Sequence, residues 1–337
     1  MPAAASAPAT HEYLRPAAKK QHVPASRARW WVASTSLAAI LLAPPLSASP
    51  DAFELHEIAA GVFVHPGKPL PLDAPGHDDI ANLSFVVGTQ CVAVIDTGGS
   101  IRIGEALHDA VKHRSARPIC YVIDTHVHVD HVLGNSAFSP DQPQFVGHAG
   151  LPAALERSRA FFLETYGADL QDPPSAAQII APGRTVAVGE DVVLELGGRH
   201  LTLRGWPPAH TDCDVTVYDS LSHTLFTGDL VFVQRTPALD GSILGWLKVL
   251  DALASSRVAH VVPGHGPAGA DLEPVLTAQR AYLDALLTGV RREIAQGRPL
   301  QEAIRDLSPA AGQQHWLLWD QTQPHNVARA YEELEWE

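Results

Sequence analysis

Residues 125–131 read Thr-His-Val-His-Val-Asp-His, so His126, His128, Asp130 and His131 crowd into one short segment. Three further pieces follow: Ala209-His210-Thr211-Asp212, Thr227-Gly228-Asp229-Leu230 and Gly264-His265-Gly266. Imidazole and carboxylate are the ligands expected of zinc, iron or manganese, and no thiolate is needed. His126 and His128 are two positions apart, which on a helix would turn them about 200° from each other. A loop or strand end lets such a pair converge on one ion, leaving Asp130 and His131 to face a second. The five histidines and two aspartates are enough for two divalent ions. Because the chain has 18 histidines, one histidine after a strand means little; four such pieces in order carry the assignment.

The elements that must hold these residues can be read from the flanking sequence. Ile119-Cys120-Tyr121-Val122-Ile123 is a short β-rich apolar run ahead of the first cluster. His210 follows a strand at His200–Leu203, Asp229 one at Thr224–Phe226, and His265 one at His260–Val262. Four strand-end loops would thus deliver ligands to one rim, where open α/β sheets place their sites. Gly61–Val64, Asn82–Val87 and Cys91–Ile95 read as further strands, and a Pro/Gly/Asp-rich loop from Pro66 to Asp79, carrying His77, is expected to overhang the site. Apolar spacing and flanking Pro or Gly predict helices at 101–114, 149–166, 242–254, 271–296 and 324–334. The order fits an α/β chain folded as a four-layer αβ/βα sandwich, with the site between two sheets.

The cluster His-x-His-x-Asp-His at 126–131, then His210, Asp229 in Thr-Gly-Asp and His265 in Pro-Gly-His-Gly, resembles the metallo-β-lactamase fold superfamily. The resemblance implies that His126, His128 and His210 hold a first metal, that Asp130, His131 and His265 hold a second, and that Asp229 bridges them. An Asp at the bridging position resembles glyoxalase II-like hydrolases, not the main antibiotic-degrading branches. Softer matches, among them Leu239-Asp240-Gly241-Ser242, Gly245-Trp246-Leu247 and the ending Glu332–Glu337, resemble periplasmic zinc metallohydrolases of quinoprotein dehydrogenase systems, also called SoxH-like. The resemblance spans about residues 53–337.

The formal charge of −13 argues against nucleic acid or anionic membrane as partner, since both need a basic surface. Residues 1–49 run against this trend: Arg27 and Arg29 precede an apolar stretch, Trp30–Ala43, that ends in small residues. This is the layout of a secretory leader, followed by a domain at 50–337. The stretch falls short of the roughly 20 residues of a membrane span. Cys91 and Cys120 lie in expected core strands and read as two buried thiols, with a disulfide as the alternative. Cys213 is not expected to be a ligand. Asp96, at a strand end, is a candidate to orient a ligand histidine. His148, His315 and His325 read as structural or surface residues, and Trp206, Trp246, Trp316 and Trp319 as core or pocket wall.

The function expected is a periplasmic hydrolase with two zinc ions, iron or manganese being the alternatives. A metal-bridging hydroxide would attack a small-molecule substrate, with Asp130 taking or relaying the proton, in association with a quinoprotein system. The rivals are a mononuclear-iron enzyme resembling persulfide dioxygenases, a glyoxalase II-like thioesterase, a β-lactamase, and a non-catalytic partner of a quinoprotein system.

Overall fold

The computed structural model describes residues 53–309 and 315–337; the expected leader and its cleavage point lie outside them. Two sheets carry the fold. The first has seven strands in chain order: β1 (His56–Ala59), β2 (Val62–His65), β3 (Leu83–Val87), β4 (Val92–Ile95), β5 (Ile119–Ile123), β6 (Gln144–His148) and β7 (Arg184–Val186). It is antiparallel through β4 and parallel from β4 to β7. The parallel half needs crossovers, supplied by α1 (Ile101–Arg114) and α3 (Leu151–Thr165). The second sheet has five strands, β8 (Asp191–Glu195), β9 (His200–Gly205), β10 (Val215–Asp219), β11 (Thr224–Phe232) and β12 (His260–His265), ordered β12-β11-β10-β9-β8. Four helices follow β11: α4 (Ile243–Leu253), α5 (Leu272–Ala295), α6 (Leu300–Leu307) and α7 (Trp319–Leu334). The remaining helix, α2 (Val129–Val132), is a single turn inside the first histidine cluster.

Strand alternation builds the layers. Val62 and Val64 of β2 point into the space between the sheets, where they meet Leu194, Leu203 and Val217, while Phe63 points the other way. Successive side chains of a strand face opposite sides, so a strand apolar at every position is covered on both. Phe63, Phe85 and Val94 meet Ile103, Leu107 and Val111 of α1, which fall four residues apart on one face. Ser100 caps that helix through Ile103 N at 3.1 Å. On the far side, Leu225 and Val261 pack with Leu283, Leu286 and Val327 of α5 and α7. The result is the expected four-layer α/β sandwich.

Arg199 and Asp219 tie the two sheets together. Arg199 donates to the buried Asp219 at 3.0 and 2.6 Å and to the part-buried carbonyls of Ala60 and Val87 at 2.9 and 3.1 Å. Burial alone would raise the Asp219 pKa, but the bonds from Arg199 and Ser222 outweigh it and hold it below the ordinary carboxylate value. The folded pKa is therefore below the unfolded one, near about 3.9. Its contribution is present above that value and fades as pH falls through the folded pKa. Arg199→Met should cost about 3–5 kcal/mol, because Asp219 is left buried and unpaired. Urea denaturation at neutral pH measures it; a change near zero would show that the pair does not tie the sheets.

Three local expectations need correction. Cys91 and Cys120 form a disulfide, with Cα atoms 5.8 Å apart. Their strands β4 and β5 are parallel neighbours with Val92 opposite Ile119, which brings the two thiols together. Thiol titration of the denatured, unreduced protein should find one thiol, Cys213, and three after reduction; three before reduction would contradict the bridge. Second, α6 was not anticipated, and α7 starts at Trp319 instead of 324, with Pro324 inside it. Trp319 Nε1 donates to Ser308 O at 2.8 Å, an anchor that outweighs the helix-starting preference of proline. Third, Asp229 does not follow a strand that stops at Phe226 but lies within β11. Among the described residues no helix is long and apolar enough to cross a membrane.

Candidate metal centre

All seven expected ligands meet at one end of the sandwich. His126 leaves β5 in a turn, His128 caps α2, and Asp130 and His131 ride on that one turn of helix. His210 comes from the loop between β9 and β10, Asp229 from β11, and His265 is the last residue of β12. Their donor atoms fall into two groups, His126, His128, His210 and Asp229, and Asp130, His131 and His265, each within 4.8 Å. Asp229 Oδ2 lies 3.8 Å from His126 Nε2, 3.4 Å from His210 Nε2 and 3.2 Å from His265 Nε2. Its Oδ1 lies 3.4 Å from His131 Nε2. Asp130 Oδ2 is 3.2 Å from His265 Nε2, and His210 Nε2 is 3.0 Å from His128 Nδ1.

These separations suit metal ligation. Tetrahedral bonds of about 2.0–2.1 Å place neighbouring donors about 3.3 Å apart. His126 Nε2, His131 Nε2 and Asp229 Oδ1 are buried with no hydrogen-bond partner among the described residues, an arrangement that costs free energy unless something else satisfies them. Two glycines make room. Gly228, at φ +49°, marks a register shift between β11 and β12, and a Cβ there would sit 2.6 Å from Thr125. A Cβ on Gly264 would lie 1.8 Å from Asp229 Oδ1, so only glycine admits that carboxylate.

The far nitrogen of each of the five clustered histidines is also occupied. His131 Nδ1 donates to Asp96 at 2.8 Å, His210 Nδ1 to Ala238 O at 2.7 Å, and His265 Nδ1 to Ile80 O at 2.8 Å. His126 Nδ1 lies 3.0 Å from Thr125 Oγ1, and His128 Nε2 lies 2.7 Å from Asp240. Such bonds fix which nitrogen faces a metal. Asp96 does this while in the left-handed region, φ +58°, and its other oxygen accepts from Thr125 N at 2.8 Å. A non-glycine residue there is strained, and such strain collects at functional sites.

The electrostatics favour a dication. Burial would raise the Asp130 pKa, but His131 and His265 hold it well below the carboxylate range, and Asp229 is likewise depressed by His265 and His131. Burial lowers His210 to about 4, and burial with the His131 charge lowers His126 far below its usual value. Carboxylates ionised and imidazoles neutral are the forms that bind metal. At His131 burial is outweighed by Asp229, Asp130 and Asp96, which raise its pKa well above the ordinary value. Burial is likewise outweighed at His128, by Asp240, Asp130 and Asp229, so the surrounding carboxylates favour positive charge at both rings.

A cavity of about 840 Å³ opens onto His128, Asp130, Asp229 and His265. Leu72, Val127, Phe161, Phe162 and Tyr166 give it an apolar wall, and Pro71 and Asp73 bring the 66–79 loop to its rim, as expected. His77 instead bonds Asp169 at 3.0 Å. His148 is buried and accepts from Gly150 N, and Cys213 is buried outside the ligand groups. Trp246 packs in the core, 5.5 Å from the His210 ring. Asp240 and Arg235 reach the site although no ligand spacing marks them, and so does His325, expected to be a structural or surface residue. Only the Leu239-Asp240-Gly241 turn hinted at the first, and His325 is half-exposed yet bonds Asp240 at 2.7 Å.

A family model for the metallo-beta-lactamase superfamily matches residues 76–265, more than half of the chain, and the protein belongs to that superfamily. Among solved structures, a metallo-beta-lactamase from Pontibacter korlensis is similar over 68% of this chain and 98% of its own, with 21% identity and a TM-score of 0.55. One from Hirschia baltica gives 68% and 96% coverage, 19% identity and a TM-score of 0.53. DIM-1 metallo-beta-lactamase, solved after exposure to ceftazidime, gives 69% and 96%, 18% identity and 0.55. At these identities the likeness establishes the fold. No curated protein matched the sequence.

Proposed function

We propose that this protein is a periplasmic, dinuclear zinc-dependent hydrolase of the SoxH-like subgroup, acting on a small-molecule substrate. The observation that carries the reading is the convergence of His126, His128, Asp130, His131, His210, Asp229 and His265 into two donor groups. His126, His128 and His210 would hold one ion, Asp130, His131 and His265 the other, and Asp229 would serve both. The chemistry divalent ions supply there is Lewis-acid activation of water and polarisation of a carbonyl or phosphoryl oxygen.

The chain's own residues do the rest. Asp130 lines the cavity as an ionised carboxylate, placed to take the proton that the attacking water gives up. Phe161, Phe162 and Tyr166 shield the reacting centre from bulk water and favour a substrate with an apolar body. Arg235 stands in the same cavity with Nη1 3.0 Å from His265 Nδ1, and it pairs with no carboxylate among the described residues. That supports an anionic group on the substrate beside the scissile bond. The Cys91–Cys120 disulfide supports an oxidising compartment, in keeping with the exported reading of residues 1–49 and a quinoprotein partner system.

Metal quantification on the purified protein, with screening of thioesters, lactones, β-lactams and phosphodiesters, tests this. About two zinc ions per chain and hydrolysis without oxygen uptake are expected. About one iron with oxygen consumption would overturn the hydrolase reading in favour of an oxygenase.

A further inference from the structure

Helix α7 lies beyond residue 265, where the family match ends. One of its faces nevertheless reaches the metal centre through the segment 237–244. Asn326, fully buried, accepts from Leu239 N at 2.9 Å and donates to Pro237 O at 2.6 Å. His325 bonds the Asp240 carboxylate at 2.7 Å, and Arg329 donates to the Asp240 carbonyl at 2.9 Å. Glu333 accepts from Ser242 Oγ at 2.6 Å and from Ile243 N at 2.7 Å. Residues 325, 329 and 333 recur every four positions, which aligns them on one stripe of the helix.

The segment held in this way orients two ligands. Asp240 accepts from His128 Nε2 at 2.7 Å, and Ala238 O accepts from His210 Nδ1 at 2.7 Å. The amides of Asp240 and Gly241 donate to the His210 carbonyl at 2.9 and 2.7 Å. The second donor group does not use this segment: His131 turns on Asp96 and His265 on the Ile80 carbonyl.

We propose that α7 is a positioning device for one metal position. It sets the affinity of the His126/His128/His210 position and leaves the Asp130/His131/His265 position unaffected, an inference that rests on the metal-centre reading above. The physical cause is preorganisation: imidazoles already aimed lose less freedom when an ion binds, and Asp240 makes the His128 ring a better donor.

Zinc titration of the metal-free, full-length chain against a competing chelator tests it. A His265→Ala background leaves the first position as the better-provided one, and a His210→Ala background leaves the second. Into each goes the pair His325→Ala/Arg329→Ala, two side chains 48% and 39% exposed whose loss leaves the core intact. Zinc affinity should fall about 10–100-fold in the first background and stay unchanged in the second. His325→Gln, which retains a donor toward Asp240, should recover part of the loss. Equal losses in both backgrounds would make α7 a general stabiliser and overturn the proposal, as would no loss in either. If the unsubstituted chain takes up no zinc, the metal-centre reading falls and this inference with it. Two equivalents bound without regard to α7 sink the inference alone.

Discussion

Asp229→Ala is expected to strip metal from both positions and to reduce turnover by about 10³-fold or more. Asp229 is the one residue whose two oxygens face both donor groups: Oδ2 lies 3.4 Å from His210 and 3.2 Å from His265, and Oδ1 lies 3.4 Å from His131. Removing it would leave two like cations without the anion between them, in buried surroundings where charge is poorly screened. Lewis-acid stabilisation of a transition state is worth several kcal/mol, and each ~1.4 kcal/mol is a factor of ten. The fold should tolerate the change, because a methyl group enters the space that Gly264 leaves for the larger carboxylate. Elemental analysis of the purified variant, alongside circular dichroism, checks the metal and the fold together. Two metals retained with near-normal turnover would rule out the bridged centre. The mononuclear-iron alternative would fall as well, since Asp229 is a ligand there too.

The cluster of donor residues was legible because metal ligation needs particular side chains at particular spacings. Four of the seven residues lie within 126–131, and the others follow apolar strands whose alternation is itself a sequence signal. The layers were legible for the same reason, since β2 to β4 are largely buried, mostly apolar runs and α1 repeats its apolar residues every four positions. What escaped the reading depends on pairings between distant segments. The Cys91–Cys120 bridge needs β4 and β5 to be parallel neighbours, a fact of topology. The continuation of β11 past Asp229 needs the register shifts against β12 that Gly228 permits. Asp240 and His325 are separated by 85 positions and meet only once α7 lies along the 237–244 segment. A lone aspartate and a half-exposed histidine carry no sign of that meeting.

Asp130→Asn should fail differently from Asp229→Ala, and the contrast separates ligation from proton transfer. Asparagine keeps the shape of the side chain and one oxygen facing His265, which lies 3.2 Å from the carboxylate. It removes the negative charge, and with it the carboxylate that would relay the water's proton. His131 and His265 still offer nitrogen to that position, so at least one metal should remain per chain. Turnover should fall about 10²–10⁴-fold, the usual contribution of a placed general base. KM should change much less, because the apolar wall of Phe161, Phe162 and Tyr166 is untouched. Steady-state kinetics with metal analysis on the same sample decides the matter. Activity close to wild type would move the proton-accepting role away from Asp130. Complete loss of metal would instead make it chiefly a ligand, on the same footing as Asp229.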